Sequence, residues 1–170
     1  MLKTIEKPVV VREFGPVEPI AAQLRAGHRA FKRDRTGHRF EGVPSRLTVL
    51  TESRERQTAL AALAATDYPF EEHLPNTIRF FRFTAGEYLL PTAWRAQPEE
   101  SALHILMLGH GPDDALIVSL ESGVQSIPVK NGKLISVSRP CRFWLGPVFA
   151  EEIFIAVSGI AMDGTERDMG

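Results

Sequence analysis

The chain has 170 residues, 44% apolar and 24% charged, with a net charge of −1, which is the make-up of one globular domain with a sizeable core. The near-neutral balance excludes an overall electrostatic pull toward nucleic acid or an anionic membrane, so any such binding must come from a local patch. A single cysteine, Cys141, excludes an intrachain disulfide and a cysteine-rich zinc site.

The first seven residues, Met1-Leu-Lys-Thr-Ile-Glu-Lys7, carry no long apolar stretch and no cleavage-type site, so no secretory signal is expected. No apolar run approaches the roughly 20 residues needed to cross a bilayer. These features predict no membrane partner and a cytoplasmic or virion location. Cys141 follows Pro140 and precedes an apolar run, the setting of a buried small hydrophobe rather than a reactive thiol.

Pro8-Val-Val-Val-Arg-Glu-Phe14 predicts a short strand, closed by the breaker Gly15-Pro16. Residues 17 to 34 follow a helical period, with Ile20, Leu24 and Phe31 on one stripe and Arg25, Arg29, Lys32 and Arg33 opposite. Gly27 lies on the same stripe, where a mid-helix glycine costs about 1 kcal/mol relative to alanine. Arg35 to Arg39 reads as a polar loop, and Arg46 to Thr51 alternates as a strand. Ser53 is a suitable N-cap, with Glu55 in the first turn, for an Ala- and Leu-rich helix over residues 54 to 66. Asp67-Tyr-Pro69 ends it.

From Asn76 the period changes to two. Strands are predicted at 77–83, 103–108, 115–120, 125–129, 134–137, 142–145 and 153–157. The continuous apolar run Leu103 to Leu108 implies burial on both faces. Turn signals separate the strands, and Asn131-Gly132 is a strong hairpin signal. Many short strands at this spacing imply a sandwich or barrel, and two preceding helices would cover one face, giving an α+β domain. The expected organisation is one domain over 1–170: a strand/helix region at 1–75, a sheet core at 76–161 and a polar tail at 162–170.

Phe81-Arg-Phe-Thr-Ala-Gly-Glu-Tyr-Leu-Leu-Pro-Thr-Ala-Trp94 has the rhythm of a strand that opens the core of a known family, of the type fRf..G.yl..H.D. Gly132-Lys-Leu-Ile-Ser-Val137, Phe143-Trp-Leu-Gly-Pro-Val148 and Glu151-Glu-Ile153 run parallel to a later stretch of the same family. The segment from Ile78 to Ile160 thus resembles the antiparallel double-stranded β-helix, or jelly roll, of the prolyl-hydroxylase-like iron- and 2-oxoglutarate-dependent oxygenases. The Gly-rich hairpin would also suit a cupin, which shares this barrel. The resemblance implies a site of two imidazoles and one carboxylate on one side of Fe(II), with open positions for oxygen and 2-oxoglutarate. On the matching register the first His position falls on Thr92, the Asp position on Trp94, the distal His on Phe143 and the cosubstrate Arg near Ile153. None of these residues can fill its role, which implies an oxygenase-like scaffold without cofactor or oxygenase chemistry.

Other residues offer different chemistry. His104 and His110 flank a strand with Asp113 and Asp114 just beyond, and His73 follows two glutamates in a loop. His73, His104, His110 and Asp113 form a fallback metal set, against a core His104 and a loop His110 in the Gly109-to-Asp114 turn. The densest basic cluster is Arg25, His28, Arg29, Lys32, Arg33, Arg35, His38 and Arg39, with Phe31 and Phe40 close enough to stack bases. It would contact a protein partner or nucleic acid, or remain solvated. No nucleophile elbow or phosphate-cradling loop is present. Trp94, Trp144 and Tyr88 belong either to the core or to the mouth of the sandwich.

Three functional expectations follow. The first is a non-catalytic jelly-roll protein acting through protein contacts, as a homo-oligomer or a structural component of an assembly such as a virus particle. The second is a 2-oxoglutarate/Fe(II)-type or cupin-like enzyme with rearranged ligands. The third is a nucleic-acid-binding module using the basic helix 17–34.

Overall fold

A strand with a two-residue period buries one face, and a continuously apolar strand buries both. Both patterns are realised in the computed structural model, which describes residues 7–33, 39–68, 78–95, 102–158 and 160–161. The first half forms β1 (Val9–Glu13), α1 (Glu18–Ala26), β2 (Phe31–Arg33), β3 (Arg39–Phe40), β4 (Val43–Pro44), β5 (Thr48–Leu50) and α2 (Ser53–Ala64). The second half forms β6 (Ile78–Thr84), β7 (Leu89–Arg95), β8 (Leu103–Leu108), β9 (Gly111–Leu120) and β10 (Gly123–Val129). It continues with β11 (Lys133–Val137), β12 (Cys141–Leu145), β13 (Glu152–Ser158) and β14 (Ile160–Ala161).

Seven strands make one sheet, in the order β1-β11-β8-β13-β6-β5-β2, and five make a second, β10-β9-β12-β7-β14. The paired strands run antiparallel throughout. From β6 onward the chain passes back and forth between the two sheets. With two helices added, this is an α+β, jelly-roll-like sandwich.

The core has two compartments. Between the sheets, Phe81, Phe83, Ile105, Met107, Ile135 and Ile155 of the larger sheet meet Trp94, Leu116, Val118, Ile127, Phe143 and Leu145 of the smaller. On the outer face of the larger sheet, Phe80, Leu106, Leu108 and Phe154 pack against Ile20 and Leu24 of α1 and Leu60 and Leu63 of α2. β8 is buried at every position because it lies mid-sheet and serves both compartments.

Several expectations are corrected. The helix predicted over 17–34 stops at Ala26. Gly27 follows it, and a Cβ there would stand 3.3 Å from Glu55 Cγ of α2, so the glycine occupies the helix crossing. His28–Ala30 form a single 3-10 turn, and Phe31 opens β2, where it pairs with Leu50 and packs on Phe154 at 5.5 Å. The apolar stripe is genuine, but its last member reaches the core from a strand. The strand predicted at 46–51 shortens to β5, with Arg46 bridging Tyr88 instead. Ser53 is the first residue of α2, and extended Glu52 precedes it at the cap position. Gly111 to Asp114, read as a turn, begins β9. Residues 89–95 form β7, which periodicity alone did not separate because Pro91 interrupts the alternation. Arg35 and His38, the side chain of Arg39, His73, the start of the predicted 77–83 strand and the polar tail 162–170 lie outside the described residues. Among the described residues no helix is long and apolar enough to cross a membrane.

Candidate functional site

β7 and β12 are neighbours in the smaller sheet, and their register sets Phe143 directly opposite Thr92 and Cys141 opposite Trp94. All four side chains are buried, with Thr92, Trp94 and Phe143 at 0% exposure. The Trp94 and Phe143 rings stack with centroids 5.1 Å apart, and Phe81 of β6 meets the indole edge-on at 6.2 Å. The Thr92 hydroxyl donates to the Leu90 carbonyl of its own strand at 2.9 Å. Ile153, at the start of β13, is fully buried in the same inter-sheet compartment. The four positions singled out by motif register therefore belong to one compartment, and two of them touch.

This donor set does not fit iron and 2-oxoglutarate. Fe(II) of this type takes imidazole nitrogens and a carboxylate oxygen. Stacked indole and phenyl rings present no ligating lone pair, and the Thr92 hydroxyl is already engaged. An isoleucine cannot pair with a dicarboxylate. Cys141 is no substitute ligand, since burial pushes its thiol up to about 12 and keeps it protonated.

The fallback metal set does not assemble among the described residues. His104 lies on β8 with its ring turned toward the helix layer, 6.0 Å from the Tyr68 ring and hydrogen-bonded through Nδ1 to Ser136 Oγ at 2.8 Å. Burial, and secondarily the Arg12 guanidinium, hold its pKa down to about 4, so it stays neutral at physiological pH. His110 is exposed instead. With Asp113, Glu151 and Glu152 it lines an open surface cavity of about 500 Å³ on which Phe149 projects. Among the described residues, no group of three or more His, Cys, Asp and Glu side chains is arranged to hold a metal ion. One residue there was not legible beforehand. Asp114 is buried and accepts the Phe149 and Ala150 amides at 2.8 and 3.0 Å, pinning the β12–β13 loop. Its sequence setting, one of two adjacent aspartates after Gly-Pro, carries no sign of that role.

The basic cluster is broken up by the end of α1. Arg25 lies on α1 and pairs with Glu18 at 3.6 Å, both side chains being mostly exposed. Arg29 is in the 3-10 turn and Lys32 on β2, and Arg33 bonds Glu87 of the β6–β7 turn at 3.0 Å. These cations do not share one continuous helical face. Phe31 is buried, so it offers no stacking surface for a base.

No protein-family model and no curated protein matches the sequence. Solved structures do match the fold. A Pseudomonas putida prolyl-4-hydroxylase superposes with a TM-score of 0.58 at 13% identity, covering 89% of this chain and 91% of that one. A Trichoplax adhaerens prolyl hydroxylase, in complex with a hypoxia-inducible-factor degradation-domain peptide, gives 0.60 at 10% identity over 94% and 86% of the two chains. An oxidoreductase of the 2-oxoglutarate-Fe(II) oxygenase family from Burkholderia pseudomallei gives 0.56 at 14% identity over 89% and 84%. The chain has the fold of prolyl-hydroxylase-like 2-oxoglutarate/Fe(II) oxygenases, as the motif resemblance implied.

Proposed function

We propose that this chain is an oxygenase-fold protein whose iron position has become core, and that it works by binding a protein partner rather than by oxidation. In this reading the strands β6 to β13 form a double-stranded β-helix, and Thr92, Trp94, Phe143 and Ile153 stand at the positions of the two imidazoles, the carboxylate and the cosubstrate arginine. The supporting observation is the Trp94–Phe143 stack at 5.1 Å, with Thr92 directly opposite Phe143. Rings packed face to face leave no space there for an ion and its cosubstrate. A fold carries function only through its site, so retention of the scaffold does not require retention of the chemistry.

The likeness to prolyl hydroxylases favours a second reading, an Fe(II)/2-oxoglutarate enzyme with rearranged ligands. That likeness bears on the fold alone and does not point to a structural or viral role. The enzyme reading needs donors that converge, and His104 faces the helices while His110 faces solvent. The deciding experiment is metal analysis of the purified chain after anaerobic Fe(II) loading, with 2-oxoglutarate turnover measured in air. The expected result is substoichiometric iron and no decarboxylation above background. One equivalent of iron with turnover would establish the enzyme reading instead.

A further inference from the structure

Among the described residues β1 is the terminal strand of the larger sheet. Neither covering layer reaches it fully: Val10 on the helix side is 46% exposed and Val11 on the inter-sheet side 37%, whereas Leu134, Ile135 and Val137 of the adjacent β11 are fully buried. An uncovered apolar edge is what sheets normally avoid, because its unused N–H and C=O groups template pairing with another chain. Two bonds identify the unused groups. The Ser138 amide donates to the Pro8 carbonyl at 3.0 Å, and the Phe14 amide donates to the Gly132 carbonyl at 2.6 Å. Antiparallel ladders alternate, so the even residues of β1 turn their amides to β11, and Val9, Val11 and Glu13 turn theirs outward.

We propose that a second copy of this chain docks on this edge, β1 pairing antiparallel with β1 of the second copy about a two-fold axis through Val10. The strand is self-complementary in this register. Val9 falls opposite Val11 in both directions, Val10 opposite Val10, and Lys7 opposite Glu13 at both ends. Because Val9, Val11 and Glu13 all present outward amides, these pairs form the hydrogen bonds. Pro8, which has no N–H, falls opposite Arg12 at a position that needs none. A shift of two residues toward the C-terminus sets Glu13 against Val9 and Arg12 against Val10. A further shift sets Arg12 against Arg12, and shifts by one residue turn the amides away. Opposite charges facing each other across strands stabilise pairing and like charges oppose it. This contact is independent of whether the inter-sheet site holds iron. It buries far less than the about 1,600 Å² of a standard interface, so dissociation in the micromolar range is expected.

Sedimentation of the full chain between about 1 and 100 µM tests this, a range that spans a micromolar equilibrium. A concentration-dependent monomer–dimer equilibrium is expected, and a strict monomer throughout would overturn the proposal. Val11→Pro removes an outward amide without touching the β11 ladder, so a monomeric variant with a nearly unchanged thermal midpoint is expected. Dimerisation undiminished in that variant would refute the edge assignment. Val10→Cys reads the register even if the proline variant fails to fold. Its two copies would face each other at a non-hydrogen-bonded pair about 4.5 Å apart, within disulfide reach. Oxidation should link it into dimers far faster than Val43→Cys, which is equally exposed on β4. Equal rates for the two would overturn the register.

Discussion

His104 is a buried imidazole between Tyr68, Ser136 and, more distantly, Arg12. Its pKa falls from 6.5 to about 4 in the folded chain. Between those values the unfolded chain takes up a proton that the folded chain refuses. Stability from this residue is therefore complete above pH 6.5 and declines as pH falls toward 4, at up to about 1.4 kcal/mol per pH unit. Urea midpoints for wild type and His104→Gln should diverge in that window, the wild type losing more on acidification. Parallel profiles would show that the imidazole does not carry the effect. Cys141 is governed by the same physics with opposite sign. Burial raises its pKa to about 12, so the reactive thiolate is scarce. Alkylation of the native protein at pH 8 should be far slower than of the denatured protein, and comparable rates would contradict the burial of β12. Gly132 follows Asn131 at φ +88 in the β10–β11 turn, and a Cβ there would stand 2.7 Å from the Phe14 carbonyl oxygen.

At the scale of elements, each helix matters for the face it covers. Leu63 of α2 is fully buried against the outer face of the larger sheet. Leu63→Ala should lower stability by about 2–5 kcal/mol in denaturant unfolding, the range for a large-to-small change at a packed site. The end of α1 at Gly27 rests on the crossing with α2 rather than on residue preference alone, since the Glu55 stem leaves little room for a side chain there. The β12–β13 loop depends on Asp114, whose carboxylate takes two backbone amides. Asp114→Ala leaves both without that acceptor and should cost about 1–3 kcal/mol. Faster hydrogen exchange at Phe149 and Ala150 is expected with it, and unchanged exchange at both would refute the pinning role.

For the molecule as a whole, the decisive question is whether the space between the sheets is a site or a core. The direct opposition of Thr92 and Phe143 gives an engineering test of the proposed correspondence. Thr92→His with Phe143→His would place two imidazoles on adjacent strands facing the same interior. The variant should be less stable than wild type without metal and gain thermal stability with Zn²⁺ or Co²⁺, by the mass-action rule for a ligand that binds only the folded state. Wild type should not respond. A folded double variant indifferent to both ions would mean that the two side chains do not face each other.

The second half of the fold was largely legible in the chain because its signals are local. Alternation marks strands such as β9 and β12, and continuous apolarity marks β8 as buried on both faces, whereas Asn131-Gly132 marks a turn that joins β10 and β11 of different sheets rather than a hairpin. The motif rhythm was legible for the same reason, since Phe81, Phe83, Gly86 and Leu89 are core and turn residues of β6, β7 and the turn that joins them. The first half was less so. Phe31 satisfies a helical stripe and a strand equally well, and its pairing with Leu50 nineteen positions away selects the strand. The same limit applied to His104, His110 and Asp113, which look like neighbours along the chain. Sheet pleating and the helix layer send His104 to one side of the larger sheet and leave the other two at an open rim. Residue chemistry along the chain thus specified that Thr92, Trp94 and Phe143 bring no imidazole or carboxylate to the motif register. Long-range strand pairing, which no local pattern encodes, set Thr92 opposite Phe143 and stacked the Phe143 ring on Trp94.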